Sequence, residues 1–502
     1  MFHIINNVEL PIYIVSIIAL ILVLIYEIIN GFHDTANAIT TIIYTNALKI
    51  KVAVIMSGLF NFYGVILSGL SVAYSIVHLL PIELLTSINS THGLIMLFSM
   101  LLSAIIWNIS TWYFGLPASS SHTLIGSIIG VSITNSVINN HSILEALNIP
   151  KLLEIFTSLI ISPFIGFILS VCLILILKIC FSNQGKYKII YSTPNNFNKL
   201  HSLKNNKPPL WLKLILVISS AGVSFSHGAN DGQKGIGLIM LILISITPVN
   251  FILNMNANNY DILHTKHAIL DLKNFYNKRC ILSKNFCTTY NKDKKFFIYL
   301  NKENKFYCNS IILKHIEYAN SLLNNLNSYS QLSNNQRFYL HNLLINITDS
   351  ISKLIKLSNI NSYDKKLLLD IKIILLNNIE YAPEWIIIIV AIALSLGTMI
   401  GWKRVSITIG ERIGKSNMTY AHGFITQTTA ALSIGVASYT GMPVSTTHIV
   451  SSAIMGVMLA DGKGIQLNTI KNILITWLLT LPISILISSI LYWLIYNIQK
   501  II

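Results

Sequence analysis

The chain has 502 residues, of which 53% are hydrophobic and only 11% are charged, whereas soluble domains carry about 25% charged residues. This composition excludes a soluble globular protein and indicates a polytopic membrane protein. The net charge of +16 does not indicate a nucleic-acid partner. The Lys residues fall in loops between apolar segments, where they contact the headgroups of a lipid bilayer and set the orientation of the chain.

Ten apolar segments divide the chain, taking about 20 residues per membrane crossing. The first and the sixth are too long for one straight helix, and each is expected to form two half-helices around an unwound break. The fourth and the ninth are short enough to be re-entrant hairpins. We therefore predict an all-α polytopic membrane protein with about 10–12 membrane segments. The ten segments lie near 11–45, 52–80, 93–114, 120–138, 152–181, 212–247, 384–402, 420–441, 446–461 and 470–497.

Two of these segments carry the same polar interruption. In the first, Asp34 follows Gly31 within the stretch ILVLIYEIINGFHDTANAITTII at 21–43. In the sixth, Asp231 stands in the same relation to Gly228. A carboxylate at membrane depth costs roughly 2.5 to 3.5 kcal/mol, so a chain keeps one there for a use. Polar breaks in corresponding hydrophobic segments are the best sequence pointer to the binding site of a transporter.

A second pair of motifs supports an internal repeat. The stretch LPASSSHTLIG at 116–126 matches MPVSTTHIVSS at 442–452 in its Pro, its three hydroxyl residues and its His. Each motif also follows a long apolar segment that opens with His-Gly. The sequence therefore predicts that the chain contains two copies of one structural unit.

Orientation follows from the basic residues of the short loops. Placing the Lys and Arg groups after the first, fifth, seventh and ninth segments in the cytoplasm leaves both termini outside, so the repeated five-segment unit is inverted. The hydrophilic stretch before the seventh segment then lies outside, and we expect a small helical insert there with a poorly ordered beginning. The predicted parts are a first membrane repeat (1–181), a basic cytoplasmic linker (182–211), the start of a second repeat (212–249), a hydrophilic, partly helical insert (250–381) and the remainder of the second repeat (382–502).

The paired interruptions resemble the signatures of a known family. GFHDTANA and GANDGQKG are similar to the paired GANDxxNA signatures of the inorganic phosphate transporter (PiT) family, and the two Pro-hydroxyl-His stretches lie where that family carries them. The resemblance covers nearly the whole chain. It implies symport of inorganic phosphate by a multi-pass protein of the cell inner membrane. The bacterial branch of the family is held to carry phosphate as a neutral complex with a divalent metal such as magnesium.

The motif residues together predict a binding site for a compact tetrahedral oxyanion. Half-helices that begin at Gly31 and Gly228 would present unpaired backbone N–H groups and positive dipole ends. The amides of Asn37 and Asn230 could donate to the same oxyanion. Hydroxyl donors at the start of the next helices are Ser119, Ser120, Ser121, Ser445, Thr446 and Thr447.

Two carboxylates in this site require an explanation. Asp34 and Asp231 would repel an anion, so phosphate should enter only with protons or cations that neutralise them. Lys234 stands where the first half has Asn37, and its ammonium would make a sodium ion redundant in that half. We therefore favour proton coupling. An ion pair between Lys234 and Asp231 is the structural alternative.

Histidines near the motifs have two interpretations. His122 and His448 directly follow the hydroxyl residues and are either proton relays in coupling or structural residues at helix starts. His33, His227 and Glu27 near the interruptions are ambiguous in the same way. Single hydroxyls in membrane helices often bond their own preceding turn, and only the two-fold recurrence of the motif favours a functional role.

Other functions remain open at this point. A symporter for sulfate or another oxyanion is the alternative among transporters, because hydroxyls and helix ends do not distinguish anions by their number of protons. A membrane phosphate sensor that signals through 250–381 is the alternative outside transporters. The chain is not expected to be an enzyme or to bind a cofactor, since it lacks HExxH and nucleophile-elbow motifs and its five cysteines lack metal-ligand spacing. A homodimer is compatible with the sequence and is not required by it.

Overall fold

The computed structural model of this chain is helical in the ranges that it describes, apart from an isolated antiparallel bridge between Gly414 and Ile465. The chain divides into two compact units. The membrane unit comprises Met1–Ile246 and Ala382–Ile502, and the insert unit comprises Thr247–Tyr381. The described residues are 10–80, 90–140, 142, 147–181, 190–193, 209–283, 310–356 and 360–501.

The helices of the membrane unit flank the insert unit in sequence. Backbone groups at membrane depth must satisfy their hydrogen bonds within the chain, which is why the apolar runs are helical. Those before the insert unit are α1 (Leu10–Tyr44), α2 (Ile50–Leu67), α3 (Ser71–Val77), α4 (Ser90–Tyr113), α5 (Ser120–Ile138), α6 (Ile149–Phe181) and α7 (Leu210–Ile246). The insert unit contains α8 (Pro248–Phe251), α9 (Asn259–Ser283), α10 (Ser310–Leu322), α11 (Asn334–Ile355) and α12 (Ser362–Leu376). Those after it are α13 (Glu384–Thr398), α14 (Lys403–Ile407), α15 (Tyr420–Tyr439), α16 (Thr446–Ala460) and α17 (Leu467–Ile501).

Membrane-crossing helices dominate the membrane unit. Among the described residues, 7 helices are long and apolar enough to cross a membrane, and the bent pair Glu384–Thr398 and Lys403–Arg412 brings the number to 8. This confirms the predicted all-α polytopic membrane protein. The short fourth and ninth segments, α5 and α16, are each one uninterrupted helix. With 15 residues, α16 is about 22 Å long, less than the ~30 Å hydrocarbon core of a bilayer.

The expected breaks in the first and sixth segments do not occur. α1 and α7 are continuous helices through Gly31 and Gly228. A Cβ atom at Gly31 would collide with the backbone of Leu394 in α13, and one at Gly228 would collide with the backbone of Asn61 in α2. These glycines therefore allow close packing of two helices. Because their N–H groups lie inside continuous helices, the prediction of half-helix anion cradles is wrong.

Breaks occur instead in the second segment of each half. The predicted segment 52–80 is divided into α2 and α3 at 68–70. After the insert unit, the axis of α13 and that of the following helix Lys403–Arg412 differ by 57°. Gly401 in this bend has a φ of 76°, which glycine adopts without strain. The two long helices with the buried Asp residues are thus continuous through the site, and the helices that pack on them are followed by an interruption or a bend.

Packing between the helices follows the two-fold repetition of the sequence. α1 packs on α13 while α7 packs on α2, and α5 packs on α17 while α16 packs on α6. α6 and α17 each contain an internal proline, Pro163 and Pro482. α1 and α7 also contact each other, which brings the two polar interruptions together. The inverted orientation of the two halves stays a prediction from the loop charges.

The insert unit is a helical bundle with its own apolar core. Ile316, Leu344 and Leu368 from three of its helices are fully buried, as the helical spacing of apolar residues predicts for this part of the chain. The buried Tyr329 hydroxyl donates to Asn378 Oδ1 at 2.8 Å. The expectation of a poorly ordered beginning is wrong for α8 and α9, which are helical. Residues 284–309, and most of the predicted linker 182–211, lie outside the described residues.

A cluster of charged side chains lies at the C-terminal end of α16. Asp461 Oδ1 lies 2.9 Å from Lys178 Nζ of α6, and its Oδ2 lies 2.9 Å from His422 Nε2 of α15. Burial by itself would raise the pKa of Asp461, but the hydrogen bonds and charges of His422 and Lys178 outweigh burial and lower this pKa below its ordinary value of 3.8. His422 also completes a capping box with Thr419 at the start of α15. The cluster therefore ties three helices of the membrane unit together.

Candidate transport site

The N-termini of α5 and α16 meet. Ser119 and Ser445 are the N-cap residues, and each side chain accepts a hydrogen bond of 3.2 Å from the backbone N–H of the histidine three residues later, His122 or His448. The rings of the two histidines lie 4.7 Å apart between centroids. A helix N-terminus carries a partial positive charge, so this meeting point favours an anion. The predicted hydroxyl motifs are thus brought together by the fold.

The Asp34 carboxylate occupies this meeting point. Its Oδ1 accepts hydrogen bonds from Thr447 Oγ1 at 2.6 Å and from Asn37 Nδ2 at 3.1 Å. Its Oδ2 accepts one from Ser120 Oγ at 3.1 Å. The Asp34 side chain is 1% exposed. One buried carboxylate on α1 therefore engages the first turns of both α5 and α16.

Asp231 on α7 is held by a cation. Lys234 Nζ lies 2.7 Å from Asp231 Oδ1 and donates to Ser121 Oγ at 2.6 Å. Ser121 in turn donates to the Val444 carbonyl oxygen at 2.7 Å. The side chains of Lys234 and Asp231 are 1% and 0% exposed. The ion pair that the sequence left open is therefore present, and it is fully buried within the site.

The two halves build the same triangle from different residues. In each triangle, a nitrogen donor binds the aspartate of its own helix and also a hydroxyl residue at the start of a helix from the other half. One donor is a neutral amide and the other is an ammonium. The first triangle consists of Asn37, Asp34 and Thr447, and the second consists of Lys234, Asp231 and Ser121.

His227 lies between the two aspartates. Its Nε2 is 3.4 Å from Asp231 Oδ2 and 4.0 Å from Asp34 Oδ2, and its Nδ1 is 3.0 Å from Asn61 Oδ1. One ligand atom from each of His227, Asp34 and Asp231 lies within 4.8 Å of the others, a group that could hold a cation. The sequence left the role of His227 open. Its position four residues before Asp231, on the same face of a helix, is the signal that could have identified it.

His33 supports Asp34 from the other side. Its Nδ1 lies 3.5 Å from Asp34 Oδ1, and its Nε2 lies 3.3 Å from Thr111 Oγ1 of α4. The ring therefore connects the carboxylate to a hydroxyl on a third helix. The sequence had also left the role of His33 open.

Other candidate residues have structural partners. Asn230 Nδ2 donates to the Met442 carbonyl oxygen at 3.2 Å and its Oδ1 accepts from the Val444 N–H at 3.4 Å, so its amide holds the loop before α16. The His448 ring stacks on Trp477 with 3.9 Å between centroids. Thr446 is buried in the first turn of α16. The amide of Asn230 is thus occupied by backbone groups in this conformation.

The hydroxyl and amide donors of the site are engaged by a carboxylate. Hydroxyl and amide groups that the sequence predicts as donors to an oxyanion donate here to the Asp34 carboxylate. Charge-assisted hydrogen bonds of this kind are the stronger ones, so these donors are held in place. An oxyanion could take the same donors once the charge of Asp34 is neutralised.

Comparisons with known proteins identify the family of this chain. The low-affinity inorganic phosphate transporter of Buchnera aphidicola subsp. Acyrthosiphon pisum is 51% identical, over 98% of this chain and 99% of the relative. The low-affinity inorganic phosphate transporter PitA of Escherichia coli strain K12 is 48% identical over the same shares. A solved structure of the sodium-dependent phosphate transporter has the same fold, with a TM-score of 0.59 and 19% identity over 96% of this chain and 99% of that one. Residues 30–488 match the phosphate transporter family (PHO4), and the chain belongs to that family.

Proposed function

We propose that this chain is a secondary active symporter that imports inorganic phosphate together with protons. The observation that carries the proposal is the Asp34 carboxylate at the meeting N-termini of α5 and α16, bound by Ser120 and Thr447. Hydroxyl donors and helix N-termini are the groups that bind phosphate in proteins. Relatives that match nearly the full chain are named as low-affinity inorganic phosphate transporters.

Protonation of Asp34 is the first coupling step. While Asp34 is charged, it holds the donors and repels an incoming anion. A proton on the carboxyl group removes the charge and weakens its hold on the hydroxyls, because the charge-assisted hydrogen bonds are lost. Ser120 and Thr447 are then free to bind phosphate. Phosphate and proton thus favour each other's binding, and such coupling is reciprocal.

Lys234 makes the second half independent of sodium. Its ammonium lies 2.7 Å from Asp231 Oδ1, where a bound cation would otherwise be needed to neutralise the carboxylate. The corresponding residue in the first half is the neutral Asn37, so the charge of Asp34 must be neutralised by an ion that enters with the substrate. A proton satisfies this requirement with no further ligand.

A divalent metal travels with the phosphate as part of the substrate. Asp34, Asp231 and His227 can present one ligand atom each within 4.8 Å, and the metal cation of a neutral metal–phosphate complex would interact with these carboxylates. Magnesium prefers oxygen ligands and keeps several waters. A histidine nitrogen suits transition metals better, so we expect manganese or zinc to support uptake as well as magnesium.

Uptake of radiolabelled phosphate into proteoliposomes tests the proposal. Gradients of pH, sodium and magnesium are imposed one at a time. We expect accumulation with an inward proton gradient in sodium-free medium, collapse with a protonophore, and stimulation by a divalent metal. Equal competition by sulfate would make the protein a general oxyanion symporter. Phosphate binding without flux would make it a sensor.

A further inference from the structure

Glu27 is a buried carboxyl group that the coupling scheme does not use. It lies in α1 with 0% exposure, and the side chain of Asn30, one turn later on the same helix, lies within hydrogen-bonding reach of its carboxyl group. Both amide atoms of Asn108 in α4 lack a hydrogen-bond partner within the described part of the chain. Asn108 lies one turn before Thr111, which contacts His33. An ionisable group buried at membrane depth is costly to keep, so the presence of Glu27 indicates a functional role.

The position of Glu27 brings its carboxyl group next to the helix that carries the second triangle. Glu27 precedes Asp34 by two helical turns, about 10 Å along α1. A Cβ atom at Gly235 of α7 would lie 2.6 Å from Glu27 Cδ and 2.7 Å from its Oε1. Only glycine at 235 therefore allows the carboxyl group to approach α7 this closely. Lys234, the residue before this glycine, is within electrostatic reach of Glu27.

Charged and titratable groups on two helices interact electrostatically with Glu27. On α7 they are Asp231 and Lys234, and on α1 they are Asp34 and the adjacent Tyr26. Lys234 is the cation among them. A negative charge on Glu27 would therefore compete with Asp231 for the same ammonium.

The second half carries no matching carboxyl group. At the position that corresponds to Glu27, seven residues before the aspartate, it has Ser224, which donates to the Ser220 carbonyl oxygen at 3.0 Å. The first half has Ala38 where the second half has Gly235. Glu27 and Gly235, the glycine that leaves room for its carboxyl group, are thus both absent from the corresponding positions of the other half. They lie next to Lys234.

We propose that Glu27 is a proton-binding site that controls the partner of Lys234. With a proton on Glu27, Lys234 pairs with Asp231 as in this structure, and the site accepts an anion. Without that proton, the Glu27 carboxylate draws the ammonium away, Asp231 is left unpaired, and the site repels phosphate. This inference rests on the proposed proton-coupled uptake of phosphate.

The test compares Glu27→Gln with wild type in proteoliposomes. Two assays are run, exchange of labelled for unlabelled phosphate without a gradient and accumulation driven by an inward pH gradient. We expect Glu27→Gln to retain exchange within about twofold and to lose accumulation by at least about tenfold, because a neutral amide mimics the protonated state permanently. Glu27→Asp should restore part of the accumulation. Gly235→Ala, which displaces the carboxyl group, should behave like Glu27→Gln.

Matched measurements separate the possible failures. Ser224→Ala, at the corresponding position of the other half, should keep both activities. Wild-type exchange without pH-driven accumulation would overturn proton coupling itself. A wild-type response that Glu27→Gln fully retains would overturn only the role of Glu27. Infrared spectroscopy of the purified protein gives a readout without transport, since the carbonyl band of a protonated carboxyl group should weaken in Glu27→Gln, and an unchanged band would also overturn the assignment.

Discussion

The two halves of the membrane unit share one arrangement of buried side chains but differ in the chemical group at its centre. Both place a nitrogen donor between a buried aspartate and a helix-start hydroxyl, with an amide in the first triangle and an ammonium in the second. The first triangle contains no ammonium or guanidinium group, whereas the second contains the Lys234 ammonium beside Asp231. Under the proposed coupling, the first half receives a cation with its substrate and the second half carries its own.

The largest effect should come from removing either aspartate. We expect Asp34→Asn and Asp231→Asn each to lower coupled phosphate uptake by at least about a hundredfold, or about 2.7 kcal/mol, because the charge that couples cation and anion is lost. Membrane insertion should not suffer, since removal of a buried charge relieves its desolvation cost. Initial rates of uptake in cells at matched protein levels measure the effect.

Asp271→Asn in the insert unit, where the side chain is exposed, is the control for expression. If the two site variants differ strongly from each other, the halves are unequal in coupling. Normal uptake with normal pH dependence in either variant would remove that aspartate from the mechanism.

The hydroxyl triplets should affect substrate affinity. Replacing Ser119–Ser121 or Ser445–Thr447 with Ala removes donors at the meeting helix N-termini, and the half-saturating phosphate concentration should rise by about tenfold, or about 1.4 kcal/mol. Uptake as a function of phosphate concentration measures this change. The single variant Ser445→Ala removes a helix cap while leaving the donors to Asp34 in place, so it separates capping from binding. Unchanged affinity in both triplets would mean that these residues serve only as caps.

Lys234→Asn makes the two triangles chemically alike. We expect proton-driven uptake to fall by about fivefold, or about 1 kcal/mol, because Asp231 loses its built-in cation. Some stimulation by sodium should appear, since a sodium ion can then neutralise Asp231. Uptake measured with and without sodium at fixed pH tests this. If wild-type uptake already requires sodium, the argument from Lys234 fails.

The smallest effect concerns the loop ends of α5 and α16, where the halves again differ in charge. Asp461 binds Lys178 and His422, whereas the corresponding Asn135 of the first half accepts a neutral hydrogen bond of 2.7 Å from the Tyr492 hydroxyl. Asp461→Asn should lower the free energy of unfolding at pH 7 by about 1 kcal/mol, because the charge-assisted hydrogen bonds of the carboxylate become neutral ones. Thermal unfolding in detergent, followed by tryptophan fluorescence, measures it.

The pH dependence of this difference has a definite sign. Because the pKa of Asp461 is lowered in the folded state, its contribution is present above the ordinary value of 3.8 and is lost as the pH falls through the lower folded value. The gap between wild type and Asp461→Asn should therefore close below about pH 4. Tyr492→Phe is the matched control, since it removes a neutral hydrogen bond and its effect should not change over this range. A gap that is constant with pH would contradict the ion pair.

The amino-acid sequence by itself determined the class of the protein and the composition of its site. Low charge and long apolar runs require helices in a membrane, since no other element satisfies the backbone there except a closed barrel. The recurrence of Asp34 at Asp231, and of one hydroxyl motif at the other, predicted the candidate site because buried charge is too costly to be repeated without a use.

The tertiary structure decided which contacts those residues make. Glycines in a polar stretch are compatible with a broken helix and also with close packing of two helices. The contact of α13 with Gly31 and of α2 with Gly228 shows that these glycines allow close packing. His227 and Glu27 acquire their surroundings from helices far away in sequence. A local pattern specifies which faces of a helix are polar, but the partner of each face depends on how all the helices pack together.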